Sequence, residues 1–273
     1  MRFTVFGSTG FIGSHLAKYI KNSGFECFTP SRTDFKFSKH LGHVFYCIGL
    51  TSNFGSHPFE TVQSHVCHLS HILQNAQFDS FLYLSSIIVY KNSKTANEND
   101  YLTFNPLNNN ELYSISKLMG ESLCLSTAHS EVRIARLSSV IGFNTRLRSL
   151  IDSLIIEAIQ KNKITLRTSL TSQKDYISIN DVVKLLLRIS LEGKNNIYNV
   201  ASGINLTHLE IVTAIQRVTG CELEVLPDAL EVIYPQLNID KLKREFLFTP
   251  SSILPELENL INRYKGIELE SYN

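Results

Sequence analysis

The chain has 273 residues and a formal net charge of +1, from 26 basic and 25 acidic side chains, so it carries no strong overall field to draw in a nucleic acid. Hydrophobic residues at 43%, with 16 Phe and 11 Tyr, suffice for a buried core and exclude intrinsic disorder. No apolar run approaches the ~18 residues needed to cross a bilayer, so no membrane association is expected. The opening stretch Met1 to Gly7 breaks into glycine too early for a signal peptide, which points to the cytoplasm. The cysteines Cys27, Cys47, Cys67, Cys124 and Cys221 are odd in number, widely spaced and set mostly in apolar surroundings, as reduced, buried thiols would be.

Arg2 to Phe6 reads as a short buried strand, followed by Gly7-Ser8-Thr9-Gly10-Phe11-Ile12-Gly13 and a helical pattern over Ser14 to Asn22. Strands are expected at Glu26 to Thr29, His43 to Ile48 and Phe81 to Ser85, with a helix over Thr61 to Ala76 before the last of these. Strands that alternate with helices imply parallel βαβ crossovers. Between Tyr90 and Leu112 the chain is polar and rich in Asn, with Pro106, and reads as loop. A helix over Tyr113 to Ser126 and a strand over Val132 to Leu137 resume the alternation. Beyond Phe143 the pattern loosens into helices near Leu147 to Gln160, Asp181 to Leu191 and Leu206 to Thr219. Strand-like pieces lie at Ile164 to Leu166 and Asp175 to Ile179.

In the glycine turn, Gly7 permits a sharp bend off the strand, Gly10 permits close approach of a pyrophosphate, and Gly13 lets the helix pack on the sheet. Its Gly-x-x-Gly-x-x-Gly spacing resembles that of the extended short-chain dehydrogenase/reductase superfamily. The expected fold is therefore α/β, a Rossmann-type doubly wound parallel sheet with a smaller mixed α/β C-terminal substrate domain. Residues 1–143 with a returning segment at about 174–205 would form the cofactor domain, and about 144–173 with 206–273 the substrate domain. Where an NAD-preferring member of that superfamily would carry Asp, this chain has Ser31 followed by Arg32. A hydroxyl and a guanidinium there can bind a ribose phosphate, which favours NADP(H) over the alternative, NAD; the bland reading leaves Arg32 a surface side chain.

Tyr113-Ser114-Ile115-Ser116-Lys117 opens a predicted helix and places the phenol and the ammonium one turn apart on one face. An ammonium beside a phenol favours the phenolate, which suits proton transfer near neutral pH. Followed by Leu118-Met119-Gly120-Glu121, the pair resembles the superfamily's catalytic helix, and Ser85-Ser86-Ile87-Ile88-Val89-Tyr90 resembles its Ser-Ser-(x)3-Tyr segment. The resemblance implies that Ser86 hydrogen-bonds the reacting oxygen, Tyr113 moves its proton, and Lys117 holds the nicotinamide ribose. A turn or cap hydroxyl is the plain reading of Ser86. Further cofactor contacts are implied at Cys47, Ile48, Gly49, Ser85, Leu137 and Val140.

The segments Arg133 to Gly142, Gln173 to Val183 and Tyr198 to Gly203 extend the resemblance over nearly the whole chain. They point to the NAD(P)-dependent epimerase/dehydratase group, most of whose members act on nucleotide sugars. A homodimer through the helices near His65 and Tyr113, and a role in cell-surface polysaccharide biosynthesis, go with that resemblance. The chain also departs from the group. Only about ten residues separate Arg32 from the next strand, which is too few for the usual third strand and its helix; Lys174 stands where Arg is common, and His65 where Asn is frequent. Ile87 and Ile88 occupy positions at which water-removing members place acids. Two reactions remain: reduction of a 4-keto sugar with NADPH, or inversion at C4 with retained NAD. A non-catalytic NADP(H) sensor and a reductase of a non-sugar carbonyl are further alternatives. Arg146 and Arg148 could meet a diphosphate or simply end a helix. His65, Cys67, His68 and His71 share a predicted helix without matching acidic ligands, and no metal is expected there.

Overall fold

The computed structural model describes residues 1–31, 40–51, 54–144 and 149–266. The first half of the chain runs β1 (Arg2–Phe6), α1 (Phe11–Asn22), β2 (Glu26–Phe28), β3 (His43–Tyr46), α2 (Pro58–Val62), α3 (His68–Asn75), β4 (Ser80–Ser86), α4 (Leu112–Leu125), β5 (Val132–Leu137) and β6 (Ser139–Ile141). The second half runs α5 (Leu150–Lys161), β7 (Lys163–Thr168), β8 (Gln173–Ser178), α6 (Ile179–Glu192), β9 (Ile197–Val200), β10 (Asn205–Thr207), α7 (His208–Thr219), β11 (Glu222–Leu230), α8 (Asp240–Phe246) and α9 (Ile253–Lys265).

Six strands form one sheet in the order β2-β1-β3-β4-β5-β9, with every neighbouring pair parallel. Strands β3, β4 and β5 are buried along almost their whole length, as sheets covered on both faces require. One face is covered by α1, through Leu16 and Ile20, and by α6, through Val182, Leu186 and Ile189. The other is covered by α3, through Leu69 and Ile72, and by α4, through Cys124. Among the described residues no strand lies between β2 and β3, so β2 forms the sheet edge where a longer chain would add another.

A separate core of Ile155, Ile164, Leu166, Ile215, Leu257 and Ile261 joins α5, β7, α7 and α9. Two small sheets, β10-β8-β6 and β11-β7, complete this part. Reciprocal caps set its helix starts: Ser149 with Asp152 for α5, and Thr207 with Glu210 for α7. The strand at Val132–Leu137 has the bounds expected of it, whereas β11, α8 and α9 had no counterpart in the sequence reading. Pro255 falls in the first turn of α9, where a proline's missing N–H costs nothing. The expected Thr61 to Ala76 helix starts three residues earlier, with Pro58 in its first turn, and contains a π turn at Gln63–Cys67.

Beneath the sheet's C-terminal edge, Arg136 of β5 and Glu121 of α4 form an ion pair at 2.6 Å, each side chain 4% exposed. Ser85 donates to the same carboxylate at 2.5 Å, and Arg136 donates to the Tyr90 hydroxyl at 2.6 Å. Tyr90 passes its own proton to Asn199 of β9 at 2.8 Å, so β4, β5, β9 and α4 share one network. Arg136→Met would leave the Glu121 carboxylate buried without its cation, and is expected to cost about 3–5 kcal/mol in urea unfolding. Replacing both partners, Arg136→Met with Glu121→Leu, is expected to cost less; equal losses would show that the stranded charge is not what matters.

Candidate active site

Strand β1 runs directly into the glycine turn. Gly7 has φ +76°, and a Cβ there would stand 2.8 Å from the Cys47 carbonyl and 2.9 Å from the Ile48 nitrogen. The turn is thus pressed against Cys47 and Ile48, just past the end of β3. A Cβ on Gly13 would come within 2.8 Å of the Gly7 carbonyl carbon. Gly10 is the N-cap of α1 and offers its first-turn amides no side chain, and no acidic residue stands in that turn. Ser8, Thr9, Phe11 and Ile12 line the same bend. This backbone cradle, with amides facing outward and no carboxylate against them, fits a dinucleotide pyrophosphate.

Ser86 ends β4 and caps the 3-10 turn Ile87–Tyr90, accepting a hydrogen bond from the Ile88 amide at 3.3 Å. The Tyr113 phenol lies close enough to this hydroxyl for it to favour the phenolate. Tyr113 and Lys117 lie on one buried face of α4, with Glu121 one turn further along. The Tyr113 ring contacts Phe54 at a centroid distance of 5.1 Å and His65 at 5.2 Å. Burial pushes the Tyr113 phenol up to about 12, with the Ser86 hydrogen bond opposing. Burial pushes the Lys117 ammonium down to about 8, opposed by Glu121 and Cys47. Lys117 donates to the Leu84 carbonyl at 2.9 Å and sits over the Tyr83 ring. The expectation that Lys117 lowers the Tyr113 pKa is corrected: desolvation governs the phenol, and the ammonium is turned to Leu84.

Leu137 pairs in register with Ser86, and Val140 follows in β6, so both stand at the same edge. The Ser85 hydroxyl donates to Glu121, because that carboxylate reaches β4 from α4. Ser31 is exposed just beyond β2; Arg32, Arg146 and Arg148 lie outside the described residues. Among the described residues no cluster of His, Cys, Asp and Glu could hold a metal ion. No helix described is long and apolar enough to cross a membrane. All five cysteines are free, but Cys67 is exposed where a buried thiol was expected. Glu121 went unassigned in the sequence, although its four-residue spacing from Lys117 was visible there. A cavity of about 480 Å³ opens between α1, α6 and α9, lined by His15, Lys18, Asn180, Glu256 and Arg263. It contains none of Ser86, Tyr113 or Lys117, so the site is located by its chemistry and not by this hollow.

Solved structures match nearly end to end. TunA, a NAD dependent NDP-hexosamine 5,6-dehydratase of tunicamycin biosynthesis, has TM-score 0.85 at 18% identity, over 98% of this chain and 99% of that one. RMD from Pseudomonas aeruginosa, complexed with NADPH, has TM-score 0.81 at 23% identity, over 97% and 100%. UDP-glucuronic acid 4-epimerase from Bacillus cereus, with UDP-glucuronic acid and NAD, has TM-score 0.75 at 20% identity, over 97% and 100%. At such identities the likeness is one of fold. A search of curated proteins finds no match.

A parallel sheet with this glycine turn, and with Ser, Tyr and Lys gathered at its C-terminal edge, defines an NAD(P)-dependent enzyme of the extended short-chain dehydrogenase/reductase type. The chain belongs to the NAD dependent epimerase/dehydratase family, which it matches over residues 39–201.

Gly10 separates fold from binding. A Cβ there meets only the Gly7 oxygen, at 3.3 Å, so Gly10→Ala is expected to change stability by less than about 1 kcal/mol. The same methyl would stand in the pyrophosphate's path and weaken dinucleotide binding roughly tenfold or more, as read by titration of the purified variant.

Proposed function

We propose that the protein is an NADPH-dependent reductase of a nucleotide-linked 4-keto sugar, probed most directly through Tyr113. The observation that carries this reading is the Tyr113 phenol close to the Ser86 hydroxyl, with Lys117 one turn away on the same helix. The Gly7 to Gly13 turn, Ile48, Gly49, Leu137 and Val140 would hold the dinucleotide, with Ser31 and Arg32 at the extra ribose phosphate. When bound, the cofactor supplies a hydride at the sugar carbon. Ser86 orients the C4 carbonyl by donating a hydrogen bond to its oxygen. Tyr113 gives that oxygen its proton, and Lys117 holds the ribose. A phenol held well above neutral by burial is charged with its proton at the start, as the reductive direction needs.

Ile87 and Ile88 follow Ser86, and neither side chain can take a proton from C5 or deliver one to C6. This supports chemistry confined to C4 over loss of water, even though TunA, a dehydratase, shares the fold. In the substrate lobe, burial pushes the Lys174 ammonium down, and its Nζ lies 5.1 Å from the centre of the Tyr176 ring. An anion such as a nucleoside diphosphate would restore its charge balance. Residues 1–143 with 174–205 would then serve the cofactor, and the remainder the substrate, in a cytoplasmic enzyme drawing on the NADPH pool. Met119 and Leu125, exposed on α4, suit a homodimer through that helix.

The second reading, a C4-epimerase with retained NAD, is favoured by one feature: the Bacillus cereus epimerase, which carries NAD, shares the fold. Denaturing the purified protein and identifying any released dinucleotide separates the two. Empty protein that prefers NADPH and oxidises it with nucleotide-linked 4-keto sugars is the expected result; stoichiometric NAD would point to the epimerase. Tyr113→Phe is expected to lower turnover 10²- to 10⁴-fold while NADPH still binds. Full activity in that variant would remove Tyr113 from the chemistry.

A further inference from the structure

The cavity of about 480 Å³ between α1, α6 and α9 lies where the two cores meet. Helices α1 and α6 cover the six-stranded sheet, whereas α9 packs in the second core with α5, β7 and α7. The join beside the cavity is polar. Asp181 at the start of α6 accepts from the Ser251 amide at 2.8 Å and from its hydroxyl at 3.0 Å, just ahead of α9. The space left between α1 and α9 is of the size that small metabolites occupy, and no step of the proposed reaction uses it.

Its walls are unevenly charged. Lys18 on α1 and Arg263 on α9 line it from different lobes, and among the described residues neither makes a salt bridge. The Arg263 guanidinium is held by stacking, its Cζ 4.3 Å from the centre of the Phe143 ring, which leaves its N–H groups for an acceptor. Three residues before Lys18, His15 has its Nδ1 2.9 Å from the Phe11 carbonyl. A carbonyl can only accept, so Nδ1 carries the imidazole proton, and the neutral ring keeps Nε2 as an acceptor. Among the described residues Glu256 is the only carboxylate in the lining. Burial pushes its carboxyl up, with Ser178 opposing and the Asp181 charge adding to the rise. Val183 and Leu260 add apolar surface. Two unpaired cations against one half-buried carboxylate make the cavity a place for an anion, and its acceptors suit hydroxyl groups on the same molecule.

We propose that this cavity is a second ligand site, and that it takes a phosphate monoester carried on a hydroxylated ring, a sugar or a nucleoside. Lys18 and Arg263 meet the phosphate, Glu256 and His15 accept from the hydroxyls, and Val183 and Leu260 lie against the ring. Because the two cations belong to different lobes, the phosphate ties α1 to α9. The ligand thus stabilises the join between the lobes without entering the site of Ser86, Tyr113 and Lys117.

Equilibrium dialysis of the purified chain against radiolabelled AMP and, separately, glucose 6-phosphate tests this, with NADPH in excess to fill the dinucleotide site. Saturable binding of one ester per chain is expected, together with a raised thermal midpoint. Preference for AMP identifies a nucleotide, preference for glucose 6-phosphate a sugar phosphate, and either supports the site. Lys18→Glu and Arg263→Met should each weaken that binding about tenfold or more while NADPH binding stays as it was. Both side chains are exposed, and Met keeps a stem over the Phe143 ring, so neither change disturbs a core. Failure of both esters to bind would overturn the inference, as would inorganic phosphate binding equally well, since the ring would then go unrecognised. Binding that survives both variants but is lost in Lys174→Met would also overturn it, by placing the ester in the cleft proposed for the substrate. A native chain that binds no NADPH would overturn the proposed function alone, because ester binding and its loss in the two variants are read independently of the cofactor.

Discussion

The position of the site depends on one buried ion pair. Glu121 and Arg136 lock α4 to β5, and they do so from the helix face that also carries Tyr113 and Lys117 at successive four-residue steps. Because a helix is stiff over two turns, fixing Glu121 fixes the other two. The lock is made specific by its further partners. Ser85 brings β4 to the same carboxylate, and Tyr90 carries the guanidinium's contact on to Asn199 of β9. A buried pair of this kind adds little net stability over a well-packed apolar pair, but it tolerates only one registry between helix and sheet. Here that registry brings the Tyr113 phenol to the Ser86 hydroxyl.

The same burial that makes the pair effective moves the two proposed catalytic groups in opposite senses. The phenol is pushed up and the ammonium down, because low dielectric disfavours either charge. Each resting group is thereby drawn toward its neutral form, and the proton sits on Tyr113 rather than being shared with Lys117. A site in that state is set to give a proton to an oxygen that is gaining charge. For oxidation it would first have to part the phenol from its proton.

Local features were the legible ones. Gly7, Gly10 and Gly13 declare a strand-turn-helix by their spacing, and Tyr113 with Lys117 declares a helix face, because each rule acts within a few residues. Val132 to Leu137 reads as a strand since β-branched and apolar side chains fill it. What was illegible depends on partners far along the chain. Two adjacent serines do not reveal which hydroxyl Glu121 will take, and that decision is made 36 residues away. The π turn is invisible for the same reason: its composition is that of any helix, and it is held by Tyr46 and Tyr83 from neighbouring strands. Beyond Gly220 the strand β11 and helix α9 are short and mixed in polarity. They take their form from packing on β7, α7 and β8, which leaves little periodic trace.

The fold by itself does not choose among the reactions it supports, since dehydratases, an epimerase and an NADPH-bound protein all superpose on it. The choice is made by single side chains at fixed places on a shared frame. An acid after the serine at the end of β4 would add proton traffic at neighbouring carbons. Ile87, buried, and Ile88 beside it bring only apolar surface there. Hydride chemistry with one proton, delivered by one phenol, is then the simplest use of the groups present. The wide network under α4 fixes the helix face that carries Tyr113 and Lys117.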